Sequence, residues 1–109
     1  MNEYERASKE IIPAARAAMI KALSEKHSMN ESTIARALGI TQAAISKHLA
    51  KKYSNTIKEL EGKVDPNLVT AYAEKIVAGN KEAVNEYICI TCSALNRFDC
   101  SFAKINRSA

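Results

Sequence analysis

The sequence predicts an all-α fold, and three observations predict it. Apolar residues recur at helical spacing along most of the chain. Only 3 Gly and 2 Pro occur in 109 residues, too few for the turns of a β-sandwich, while Ala, Lys, Glu, Ile and Leu dominate. No segment alternates with period two and no Asn-Gly hairpin signal occurs, so neither a strand pair nor a β-wing is expected. A length of 109 residues makes about one domain, and 47% hydrophobic with 26% charged residues is the balance of a chain that buries a single core.

The elements follow in order. Ile12, Ala15, Met19, Leu23 and Lys26 lay one apolar stripe, ending in a snorkelling lysine, along a first long helix. Pro13 fits its first turn, where a missing N–H is harmless. Residues 4–11 then form either a separate short helix or an extension bent at the proline. Residues 55–61 make a short helix before Gly62. Asp65 followed by Pro66 is an N-cap with proline at the first helical position, and Leu68, Tyr72 and Ile76 supply the face of a helix closed by Gly79. Asn80 caps the last helix, about 81 to 97, whose stripe is Val84, Ile88, Thr91, Leu95 and Phe98.

The informative stretch is residues 31–50, Glu31-Ser-Thr-Ile-Ala-Arg-Ala-Leu-Gly-Ile-Thr-Gln-Ala-Ala-Ile-Ser-Lys-His-Leu-Ala50. It has the grammar of two short helices crossing steeply. Ala35 is the small residue that the crossing needs, and Gly39 supplies a backbone position with positive φ at no Cβ cost. Ile34, Leu38, Ile40, Ile45 and Leu49 fill the wedge between the helices, and Thr41 stands where the second needs its N-cap. Gln42, Ala43, Ser46 and Lys47 then project outward together.

This stretch resembles the DNA-binding helix-turn-helix of the lambda-repressor and Cro-like class, most closely over Gly39-Ile-Thr-Gln-Ala-Ala-Ile-Ser-Lys47. A wider likeness, carried by Pro13-Ala-Ala-Arg16, the Gly-Ile-Thr-Gln-Ala-Ala run and a late Cys-x2-Cys, is to a group of small archaeal transcription regulators. The resemblance implies an all-α, lambda-repressor-like bundle with additional C-terminal helices. It also implies that the helix at about 41–50 enters the major groove of double-stranded DNA, with Thr41, Gln42, Ala43, Ser46 and Lys47 at the base edges. The side-chain chemistry is coherent on its own: Gln42 can pair with an adenine edge or a phosphate, Lys47 can reach guanine acceptors, Ala43 can touch a thymine methyl, and Thr41 and Ser46 can bond base or phosphate. Arg36, Lys51 and Lys52 are placed to neutralise phosphate. The class has an aliphatic residue where this chain has His48, which reads as a histidine at a core edge with one nitrogen hydrogen-bonded, a pH-sensing or metal role being the alternative. His27 reads as a surface residue near a helix C-terminus.

Charge supports a polyanion partner. Residues 1–55 carry nine basic and five acidic side chains, and residues 56–109 seven of each, so the whole net charge of +4 lies in the first part. We therefore divide one compact unit into a DNA-binding part, 1–55, and a C-terminal dimerisation or sensing part, 56–109. Because one such helix touches only a few base pairs, useful specificity calls for a homodimer on two half-sites.

Cys89, Cys92 and Cys100 give C-x2-C-x7-C, which lacks a fourth cysteine. On one helix Cys89 and Cys92 lie about 5–6 Å apart at Cβ, whereas Cys100 lies roughly 16 Å further along. A zinc or iron–sulfur site in one chain therefore requires the tail to fold back, or a second subunit to supply ligands. Packing at a core or dimer interface and thiol redox sensing are the other readings.

The function read from these features is a sequence-specific DNA-binding transcription regulator. The alternative is a protein-interaction module, such as an antitoxin-like adaptor, that has lost DNA contact. Catalysis is not expected: there is no Gly-rich phosphate loop, no H-E-x-x-H and no nucleophile elbow. No apolar run approaches the roughly 18 residues of a membrane span, and the start Met-Asn-Glu-Tyr-Glu-Arg is unlike a signal peptide, so a cytoplasmic protein is expected.

Overall fold

In the first 26 residues the chain answers the question posed by Pro13. The computed structural model describes residues 2–96. Helix α1, Glu3–Arg6, runs through a single π-helical turn, Ala7–Ile11, into α2, Ile12–Lys26, without leaving the right-handed helical region at Arg6 or Ile12. The Ile12 N–H closes on the Ala7 carbonyl. The segment is thus one continuous helix whose ladder widens just before the residue that has no N–H to contribute. Then follow α3 (Glu31–Leu38), α4 (Gln42–Leu49), α5 (Asn55–Glu61), α6 (Pro66–Val77) and α7 (Glu82–Asn96). No strand occurs among the described residues, and none of their helices is long and apolar enough to cross a membrane. Phe98 and Cys100 lie outside the described residues.

The helix starts are set by short polar side chains that satisfy N–H groups with no partner inside the helix. Asn30 Oδ1 accepts from Thr33 N at 2.8 Å, Thr41 Oγ1 from Ala44 N at 3.1 Å and Ser54 Oγ from Ile57 N at 3.3 Å. Asp65 Oδ1 accepts from Asn67 N at 2.9 Å, with Pro66 at the first helical position as expected. Asn80 Oδ1 takes two N–H groups, those of Glu82 and Ala83, at 3.1 and 3.3 Å.

Packing departs from the single stripe expected on the first long helix. In α2 the side chains of Ala14, Ala15, Ala17, Met19, Ile20, Ala22 and Leu23 are all buried, because α3, α4, α5, α6 and α7 all pack on it. A helix covered from most sides must be apolar on most sides, and its alanines let neighbouring helices approach closely. Lys26 keeps its head in solvent, with Nζ 3.5 Å from Thr70 Oγ1 on α6.

The two C-terminal stripes are rotated relative to expectation. On α6 the buried residues are Val69, Ala73 and Ile76, with Leu68 and Tyr72 half-buried; on α7 they are Ala83, Tyr87, Thr91 and Cys92, with Val84, Ile88 and Leu95 half-buried. On α7 the reason is Tyr87. Its ring is the largest fully buried side chain, and its hydroxyl donates to the Ala15 carbonyl of α2 at 2.6 Å. That bond turns the Tyr87 face of α7 toward α2, and burial pushes the phenol well above its ordinary pKa. One core cluster draws on both parts of the chain, joining Leu23, Ile34 and Ile45 to Val69, Ile76 and Tyr87; a smaller one gathers Ile11, Ala14, Leu60 and Cys92.

Candidate nucleic-acid interface

Two local constraints aim α4. Gly39 ends α3 at φ 70°, and Ile40 N donates to the Ala35 carbonyl at 3.1 Å, closing the turn. A Cβ at Gly39 would meet nothing within 4 Å, so the backbone angle and not space requires glycine. Thr41, extended at φ −75° and ψ 152°, then starts α4 as its N-cap. Ala35 is buried where α3 and α4 cross, and Ile34 and Ile45 are fully buried between them and α2.

With Ile45 pointing inward, the remaining positions of α4 follow from helical spacing. Thr41, Gln42, Ala43, Ser46 and Lys47 are all exposed and lie on the outer side of this short helix. Arg36 on α3 and Lys51 and Lys52 after α4 are exposed as well. Lys51 adopts φ 57°, so the chain reverses sharply there and leaves both lysines at the end of the helix. One feature escaped the reading by motif: from Ser32 through Lys58 there is no acidic residue, while Arg36, Lys47, Lys51, Lys52 and Lys58 are basic. Lys58 on α5 lies with its Nζ 5.8 Å from the Tyr53 ring centre, and a charge count over a sliding window would have found it.

Leu49 does not fill the wedge as expected. It is 37% exposed at the end of α4, and Leu38 and Ile40 are only half-buried. The wall facing the last turn of α4 is the loop before α5 and not an apolar helix. There His48 packs instead, its ring 5.5 Å from that of Tyr53. Among the described residues nothing hydrogen-bonds the buried Nδ1 of His48. Burial holds the imidazole below its ordinary pKa, with the Arg16 and Lys47 cations adding to the effect and the Glu61 carboxylate opposing it. Tyr53 donates its hydroxyl to Glu61 Oε1 at 2.5 Å, and burial together with that bond pushes its pKa up to about 12. The loop carrying Lys51 and Lys52 is thereby tied to α5. His27 is half-buried at the C-terminal end of α2.

Residues 14–51 match the family model described as bacterial regulatory protein, arsR family. The arsR-like segment runs from α2 through α4 and covers about a third of the chain. No curated protein and no solved structure matches the chain. The match supports a helix-turn-helix of regulatory type, and it corrects the likeness to the lambda-repressor and Cro class. The residues that carried that likeness, Ala35, Gly39 and Thr41, meet the steric and capping needs of any tight helix-turn-helix, so they do not separate one class from another.

The cysteines divide. Cys92 is buried among Ile11, Ala14 and Leu60, Cys89 is half-buried one turn before it, and Cys100 lies outside the described residues. Among the described residues no three His, Cys, Asp or Glu side chains are grouped as a metal site would need.

Proposed function

We propose that this protein is a sequence-specific DNA-binding transcription regulator that acts as a homodimer, with α4 lying in the major groove of each half-site. The observation that carries the reading is the outward face of α4: Gln42, Ala43, Ser46 and Lys47 stand exposed together behind the Thr41 cap, while Ile45 anchors the helix from within. Gln42 and Lys47 bring the donors and acceptors that bidentate base recognition uses, and Ala43 is small enough to let the helix approach a thymine methyl. Arg36, Lys51 and Lys52 flank that face in a stretch without carboxylates and serve as phosphate contacts. Ile90 and Ala94, exposed four residues apart on α7, support pairing of two copies through the C-terminal helices.

The exposed Leu49 on the same helix favours a second reading, a protein partner seated on α4. Selection of bound duplexes from a random pool, using purified protein, separates the two. A palindromic site whose halves lie about one helical turn, roughly 34 Å, apart supports the regulator. Equal recovery of all sequences, with retention insensitive to salt, supports the protein partner.

A further inference from the structure

Helices α3 and α6 both pack on α2, and a cleft of about 420 Å³ opens between the end of α6, the turn into α7 and the outer side of α3. Met29, Ala37, Ile76 and Val77 give it an apolar lining, and Val77 is 48% exposed to it and to solvent. Arg36 contributes a guanidinium and Thr33 a hydroxyl from α3, Lys81 adds an ammonium from the α6–α7 turn, and among the described residues no acidic side chain lines the cleft. The Asn80 carboxamide oxygen is already engaged in capping α7, so what the polar rim offers a ligand is dominated by positive charge. An apolar bed of small-molecule size with two cations from different elements at its edge matches one ligand class. A neutral apolar molecule leaves both cations unanswered, and a bare inorganic anion leaves the bed unfilled.

We propose that this cleft is an effector site for a small amphiphilic anion, an apolar body carrying a carboxylate or phosphate, whose charge is taken by Arg36 and Lys81. Such a ligand ties the helix-turn-helix to the C-terminal helices. It also withdraws Arg36 from DNA phosphate, so that occupancy weakens duplex binding; this second step rests on the regulator reading above, whereas the site itself does not.

The test titrates octanoate, and separately its neutral analogue octanamide, into the full chain carrying labelled methyl groups, followed by NMR. Octanoate is expected to give saturable shifts confined to Met29, Ala37, Ile76 and Val77, with octanamide at least tenfold weaker. Val77→Glu places a carboxylate in the cleft from a half-exposed position and is expected to abolish octanoate binding with an unchanged melting temperature; Lys81→Ala, on the surface, is expected to weaken it severalfold. Absence of saturation, equal binding of the amide, or shifts centred elsewhere overturns the site. In the duplex arm, octanoate is expected to lower retention of the wild type and leave Val77→Glu unaffected. Cleft binding without loss of retention overturns the competition at Arg36 while leaving the site standing. A chain that binds octanoate but shows no salt-dependent duplex binding at all refutes the regulator reading instead.

Discussion

Helices α2 and α4 lie against each other and show what burial and exposure each do in this fold. In α2, 15 residues long, seven side chains are buried and five helices pack around it. In α4, 8 residues long, Ile45 is the one side chain counted among the buried, and the Thr41 cap and the turn at Gly39 supply the rest of its placement. The first is held by area removed from water, the second by one anchor and two local backbone devices. A helix whose outer face is left open is not held on that face, so its position depends on few contacts.

The comparison breaks most readily in α2. Leu23→Ala, at a fully buried position, is expected to cost about 2–5 kcal/mol through lost burial and the cavity left behind, read from urea unfolding. A loss under about 1 kcal/mol there would mean that α2 is not the central support.

The outer face of α4 predicts the opposite pattern. Gln42→Ala and Lys47→Ala are expected to leave stability within about 0.5 kcal/mol and to shift preference at one base pair by about 1–3 kcal/mol. Lys51→Ala and Lys52→Ala are expected to weaken all duplexes alike, each lowering the salt slope by about 1. If the four variants behaved identically in competition binding, the division into base-reading and phosphate-facing positions would be wrong.

The local devices come next. Gly39→Ala forces a side chain into the left-handed region and is expected to cost about 1–2 kcal/mol in thermal or urea unfolding; an unchanged midpoint would show that the turn has rearranged. Thr41→Ala removes the cap of α4 and is expected to cost about 1 kcal/mol, read the same way, with duplex affinity falling in parallel.

The smallest effect is expected at His48. Because its folded pKa lies below the unfolded value of 6.5, the unfolded chain takes up a proton first as the pH falls. The contribution of His48 to stability is therefore constant above about pH 7 and declines below 6.5 until the folded imidazole also titrates. His48→Gln, measured by urea midpoints from pH 7.5 to 5, should flatten that decline. An equally steep curve in the variant would assign the acid sensitivity to other groups.

Much of this was legible residue by residue. Thr41, Asp65 and Asn80 each sit where an unpaired N–H needs a partner two or three positions away, and Gly39 sits where the turn demands positive φ, so the helix starts and the helix-turn-helix could be read directly. The outward group on α4 followed from the same spacing once Ile45 was taken as inward. Leu49 was misread because the neighbour of that last turn, Tyr53, belongs to a loop tied to α5 by its bond to Glu61, whereas His48 does sit at a core edge as read. The cleft at Arg36 and Lys81 was invisible, since its two cations are 45 positions apart in the chain.

What the amino-acid order determined by itself is where helices begin, end and turn, because those outcomes depend on hydrogen bonds closed within about four residues. What only the tertiary structure decided is which sides are inside. Tyr87 reaches across 72 positions to the Ala15 carbonyl, and that contact rotates α7, selects Ala83 and Cys92 for burial and leaves Ile90 outside. No periodicity within α7 carries that information, because a stripe becomes a buried face only when another helix arrives to cover it.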